Sequence, residues 1–136
     1  MQSKVFLAED ALTAFVDRAN PKHLHAGAFF RYFAQEHCFL YINISILSAT
    51  HQKISETMNE SVAKDFLKAV SFSNIIVLSP ETAEINTAIK VASGTSDMSF
   101  QEALMLTMAE KRGIMQICTF SHLHQLFGIK TFFLPV

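Results

Sequence analysis

Tryptophan is absent from this chain, and cysteine, proline and glycine number only two, three and four among 136 residues. Set against thirteen phenylalanines, the missing indole argues for a dry aromatic core and against a sugar or peptide cleft lined by tryptophan. Two cysteines make a poor disulfide framework. Cys38 and Cys118 each adjoin an apolar stretch of strand character and are expected as buried free thiols. Linkers, repeats and low-complexity segments are lacking, so one unit spanning residues 1–136 is expected. An excess of charge is missing too: the formal net charge is −1, and no overall basic field draws nucleic acid from a distance. RNA contact would have to rest on a local patch. No apolar run approaches the roughly 18 residues of a membrane span, and the opening Met1-Gln2-Ser3-Lys4-Val5-Phe6-Leu7 turns polar too early for a signal peptide. A cytoplasmic location and no membrane partner are therefore expected.

Half of the residues are hydrophobic, enough for a real core. Short β-rich runs alternate with stretches of helical period, the pattern of βαβ units around a mostly parallel sheet. Val5-Phe6-Leu7 reads as the first strand, followed by a short helix over 11–17 that Asp10 is placed to cap. Asn20-Pro21 reads as a cap and first helical residue, opening a helix to residue 36 with Leu24, Ala28 and Phe29 inward. Residues 39–42 read as strand two. A helix capped by Ser45 runs to about 57, and another covers 61–70 with Val62, Phe66 and Ala69 on one face. Residues 75–78 are strand three, and Ser79-Pro80 opens a helix to about 91 before the flexible loop 93–97. The helix from Ser99 is the best defined. Phe100, Ala103, Leu104, Thr107 and Met108 fall at i, i+3, i+4, i+7 and i+8, and Gly113 supplies a left-handed exit. Residues 115–119 form strand four, a helical turn lies near 122–126, and 131–134 close the order. Right-handed crossovers gather the C-terminal ends of strands one, two and four, and ligands bind at that edge of open parallel sheets.

The order and spacing of Val5-Phe6-Leu7 with Ala11-Leu12, the helix start at 21–30, Ser99-Phe100-Gln101-Glu102-Ala103-Leu104, and Gly113-Ile114 leading to Ile117-Cys118-Thr119-Phe120 resemble the PIN domain, including VapC-type toxin ribonucleases. Phe127-Gly128 to Leu134-Pro135 also fits, so the resemblance spans essentially the whole chain. It implies a three-layer α/β/α fold around a mostly parallel five-stranded sheet. It further implies a site in which three or four carboxylates hold Mg²⁺ or Mn²⁺, hard cations that take oxygen ligands and activate water for attack on phosphate.

In the first family motif, Asp-Thr-Ser-x-Leu, Leu12 sets the register and the Asp position is occupied by Ala8. The Glu expected on the helix after strand two corresponds to Ala49. The third acid is conserved in charge as Glu102, and the fourth position, after Thr119-Phe120, holds Ser121. One anionic ligand competes poorly with the hydration of Mg²⁺. The resemblance therefore implies a ribonuclease fold that is silent or impaired, serving as an RNA- or protein-binding module through homodimerisation or an antitoxin-like partner. The alternative is an active Mg²⁺- or Mn²⁺-dependent ribonuclease, the toxin of a toxin–antitoxin pair, using Glu102 with Asp10 and with Glu9, Ser121 or water filling the vacant positions.

Each candidate also has a plainer role. Glu102 follows Ser99 by three residues and fits a capping box, and helix capping is the more economical account of Asp10. His23-Leu24-His25 and His122-Leu123-His124 share a face only on a strand, whereas both fall in expected helix, which argues against zinc. The second pair nevertheless adjoins Ser121, leaving a rebuilt His/Ser121/Glu102 site as a further option. Lys111-Arg112 complements the dipole at its helix end more readily than it contacts phosphate.

Overall fold

A computed structural model describes residues 3–121 and 130–132 of the chain. The elements are β1 (Lys4–Leu7), α1 (Glu9–Val16), α2 (His23–Gln35), β2 (Phe39–Asn43), α3 (Ile44–Thr57) and α4 (Glu60–Phe72). They continue with β3 (Ile76–Leu78), α5 (Thr82–Gly94), α6 (Phe100–Lys111), β4 (Gln116–Cys118) and β5 (Lys130–Phe132). The expected turn at 122–126, with His122 and His124, and residues 133–134 of the last expected strand lie outside the described residues.

The strands run in the order β3-β2-β1-β4-β5, and every neighbouring pair is parallel. Val5, Phe6 and Leu7 are fully buried, as a central strand covered on both faces requires. From β1 the chain steps to β2 and β3 on one side, then returns through α5 and α6 to β4 on the other. With right-handed crossovers, that reversal sends α1–α4 to one face and α5–α6 to the other, giving three α/β/α layers. The packing agrees: α1 touches α2 and α3, α3 touches α4, and α5 lies along α6. The reversal also opens a crevice between the C-terminal ends of β1 and β4, the switch point where open sheets place ligands.

Helix α6 is where burial departs most from the expected stripe. Every residue from 103 to 109 is buried, because α5 and the sheet enclose it, while Phe100 remains 42% exposed in the first turn. Ser99 caps α6 as expected, its Oγ accepting the Glu102 N–H at 3.0 Å. Gly113 exits at φ 70, with the Ile114 N–H donating to the Ala109 carbonyl at 2.8 Å.

Other starts differ. Asn43, not Ser45, caps α3 by accepting the Ile46 N–H at 2.8 Å, because the helix begins as soon as β2 ends. Helix α2 begins at His23; Asn20 Oδ1 accepts the Lys22 N–H in a turn that Pro21 joins, and Leu24 is 81% exposed while Ala26, Phe29 and Phe33 face inward. On α4 the inward face is Ala63, Phe66 and Val70, with Ala69 exposed. Helix α5 opens after Pro80 on a capping box between Glu81 and Glu84 rather than on Ser79. Glu84 is buried there, accepting the Glu81 N–H at 2.8 Å and pairing with Arg112 at 2.9 Å. Arg112 thus ties the end of α6 to α5 instead of serving only its own helix dipole. Both cysteines are free, Cys118 buried and Cys38 half-buried.

Candidate functional site

The crevice at the switch point contains a cavity of about 230 Å³. Strand β1 delivers Ala8 to it, α1 adds Glu9 and Asp10, α6 brings Glu102 and Met105, and the end of β4 supplies Thr119 and Ser121. The structure therefore brings Ala8, Asp10, Glu102 and Ser121 to one cavity. Ala49 is not among the lining residues; α3 reaches the cavity through Ile46, one turn earlier. The backbone closes the floor between the strands, the Ala8 N–H donating to the Cys118 carbonyl at 3.1 Å.

Asp10 does not cap α1, correcting the expectation from sequence. The helix begins at Glu9, its N-cap position is Ala8, and no side chain caps it. Asp10 instead reaches across to the end of β4. Its carboxylate accepts the Thr119 hydroxyl (2.8 Å to Oδ2, 2.9 Å to Oδ1), the Phe120 N–H at 2.9 Å and the Ser121 hydroxyl at 3.0 Å. The Ser121 N–H closes the turn by donating to Thr119 Oγ1 at 3.1 Å. In the register that places Ala8 at the motif's Asp, Asp10 occupies the motif's Ser and Ser121 the fourth acid. One hydrogen bond joins the two, with the Ser121 hydroxyl donating to the Asp10 carboxylate. Thr119 is the participant that sequence reasoning passed over, and its partner lies 109 residues away in the chain.

The neighbouring acids are also engaged or placed by their helices. Glu9 Oε2 accepts the Thr13 hydroxyl at 2.8 Å, one turn along α1. Glu102 stands in the first turn of α6, half-buried, with its N–H held by Ser99. Beneath the cavity, burial and then the charge of Asp10 push the Cys118 thiol up to about 12, keeping it protonated and inert. Beside Ser121, the Phe120 ring packs on Phe29 with centroids 5.5 Å apart, and the Lys22 ammonium stands 6.0 Å from the centroid of Phe120. His23 and His25 lie on α2, where His23 Nδ1 is bonded to the Ala14 carbonyl at 2.9 Å.

The donor set does not fit a Mg²⁺ or Mn²⁺ centre. Ala8 presents a methyl group, the Ser121 hydroxyl is directed at Asp10, and the Asp10 carboxylate is taken up by three donor groups. Among the described residues, no three His, Cys, Asp or Glu side chains converge in a way that would hold a metal. Of the three carboxylates that line the cavity, Glu9 and Asp10 are held by hydrogen bonds to Thr13 and to the end of β4, and with Glu102 they do not converge as the several oxygen ligands that a hard divalent cation requires.

The strand order, the helical layers and the switch-point cavity together make this a PIN-domain fold of the VapC-like kind. Among solved structures, the chain matches Mycobacterium tuberculosis VapC20, described as a sarcin-ricin loop cleaving toxin, with a TM-score of 0.74 and 16% sequence identity. The match covers 83% of this chain and 86% of that one. No family model matches the sequence, and no curated protein matches it.

Proposed function

We propose that this chain is a VapC-like PIN protein without nuclease activity, acting as a binding module that contacts RNA or a protein partner without cleaving it. The observation that carries this reading is the hydrogen-bonded unit of Asp10, Thr119, Phe120 and Ser121. It uses the Asp10 carboxylate, which shares the cavity with Ala8, to close the β4 end, where a metal centre would need that carboxylate open. RNA is the leading partner because Lys22 and Phe120, beside the cavity, provide a positive charge and an aromatic surface that a balanced net charge otherwise withholds. A homodimer in the cytoplasm, with an antitoxin-like partner, completes the proposal.

The competing reading is an active metal-dependent ribonuclease, and it draws on the single cavity shared by Glu102 and Asp10. Incubation with single-stranded RNA, and with a hairpin carrying the sarcin-ricin loop that VapC20 is described as cleaving, separates the two. Binding without product in Mg²⁺ or Mn²⁺ is expected. Cleavage abolished by Glu102→Gln would establish the ribonuclease instead.

A further inference from the structure

Helix α5 is the least anchored of the described helices. Each of the others buries at least one large apolar side chain: Leu12 on α1, Phe29 on α2, Ile54 on α3, Phe66 on α4 and Leu106 on α6. On α5 the buried residues are Glu84 and Ala88 alone. Its extensive packing is on α6 only, through side chains that stay half-buried, and Ile89 is 48% exposed. Burying one methyl group contributes about 0.8 kcal/mol, against about 1.5–3 kcal/mol for a leucine or phenylalanine side chain. Apolar burial therefore holds α5 weakly, and elements with few buried apolar contacts are the ones that open first.

What fastens α5 is a charge pair. Glu84 accepts both the Glu81 N–H and the Arg112 guanidinium on one oxygen, Oε1. Its Oε2 and the Arg112 Nε are buried without a hydrogen-bond partner among the described residues, so the pair is single-pronged where two parallel bonds are possible. The same Arg112 Nη2 donates to the Ser79 carbonyl at 3.3 Å, and one side chain from the end of α6 thus holds both the entry to α5 and its first turn. The neighbouring Lys111–Glu81 pair is exposed on both sides and adds little. When α5 lifts away, both charges of the buried pair regain their hydration, which offsets much of what the pair contributed. The far end of α5 leads to the Ala8 cavity. Residues 95–98 form a turn closed by long bonds, 3.5 Å from the Thr95 N–H to the Ala92 carbonyl and 3.3 Å from the Met98 N–H to the Thr95 carbonyl. Ser99 follows, capping α6 and lining that cavity with Gln101, Glu102 and Met105.

We propose that α5 is a latched strap: it opens as a unit before the other helices, the Glu84–Arg112 pair is its latch, and its release loosens the α6 wall of the Ala8 cavity. The inference holds whether that cavity cleaves RNA or only binds it. Amide hydrogen exchange of the full chain, read by mass spectrometry, tests it. In the parent, α5 is expected to exchange ahead of α2, α3 and α4. Arg112→Ala should speed α5 by about 100-fold. The Glu102 and Ala103 amides, which bond to Ser99, should follow α5. Ile54→Val, in the core on α3, should speed α3 and α4 by up to about tenfold. It should leave α5 unchanged, because Ile54 stays packed when α5 opens alone. Glu84→Gln, which keeps an acceptor and removes the charge, takes the place of Arg112→Ala if that variant does not fold. If α5 exchanges no sooner than α3, or Ile54→Val speeds α5 as much as α3, the strap is refuted, since α5 then opens only with the whole chain. Latch variants that leave α5 exchange unchanged overturn the role of the ion pair. Glu102 and Ala103 amides that follow α3 instead of α5 overturn the link to the cavity.

Discussion

Replacing Asp10 by alanine removes the acceptor shared by Thr119, Phe120 and Ser121. A hydrogen bond to a charged group contributes about 1.5–3 kcal/mol, and a stranded buried donor costs a similar amount. Ser121 is exposed and its hydroxyl can turn to water, so its share is discounted, whereas Thr119 is buried and its hydroxyl loses its acceptor. The Phe120 N–H is fixed by the backbone and part-buried, and it has no such escape. The sum is about 3 kcal/mol of lost stability, which lowers the melting temperature by about 12 °C at about 4 °C per kcal/mol for a chain of this size. Asp10→Asn preserves the volume but turns an amino group toward donors, so a loss of about 1–2 kcal/mol is expected. Urea unfolding followed by far-ultraviolet circular dichroism is the suitable assay, because the chain has no tryptophan to report by fluorescence. Asp10→Ala within about 0.5 kcal/mol of the parent, the ordinary range for surface changes, would refute the account of Asp10 as the residue that closes the β4 end.

The ion pair between α5 and α6 yields a second expectation. Arg112→Ala leaves the Glu84 carboxylate, 1% exposed, with only the Glu81 N–H, and should cost about 3 kcal/mol. Glu84→Leu together with Arg112→Met should recover most of that in the same unfolding assay, because removing both partners leaves no buried charge. The Cys118 thiol gives a pH signature. With its folded value raised from 9.0 to about 12, the unfolded chain loses the proton first. Stability is then fully present below about pH 9 and falls as pH rises toward 12, by about 4 kcal/mol over that window. Cys118→Ala should flatten that alkaline limb, read as the slope of unfolding free energy against pH.

The fold was legible where local signals agree with tertiary context. Ser99 opening α6 and Gly113 closing it are short-range devices, and both act as their residue types dictate. Alternation of strands with helices was enough to imply a parallel α/β sheet. Boundaries were less legible where two good caps compete within a few residues. Asn43 outdoes Ser45 because β2 runs directly into α3, and Glu81 outdoes Ser79 because its partner Glu84 is drawn inward by Arg112. Leu24 looked inward by period, but α2 starts later than Asn20-Pro21 suggested and its first turn overhangs the core.

The candidate site was half legible. The register that exposes Ala8 and Ser121 as non-acidic comes from the resemblance, and the cavity that joins them to Glu102 comes from the topology. Asp10 was misjudged because local chemistry makes an aspartate just before an apolar helix look like a cap. Its partners are contributed by residues 109 to 111 positions away, a distance at which spacing carries no signal.

The central claim of the proposed function is that the hydrogen-bonded turn around Asp10 leaves the cavity without a metal centre, and calorimetric titration with Mn²⁺ tests it most directly. The account predicts no saturable heat in the parent chain and none in Glu102→Gln. Saturable binding by the parent that Glu102→Gln removes would contradict it.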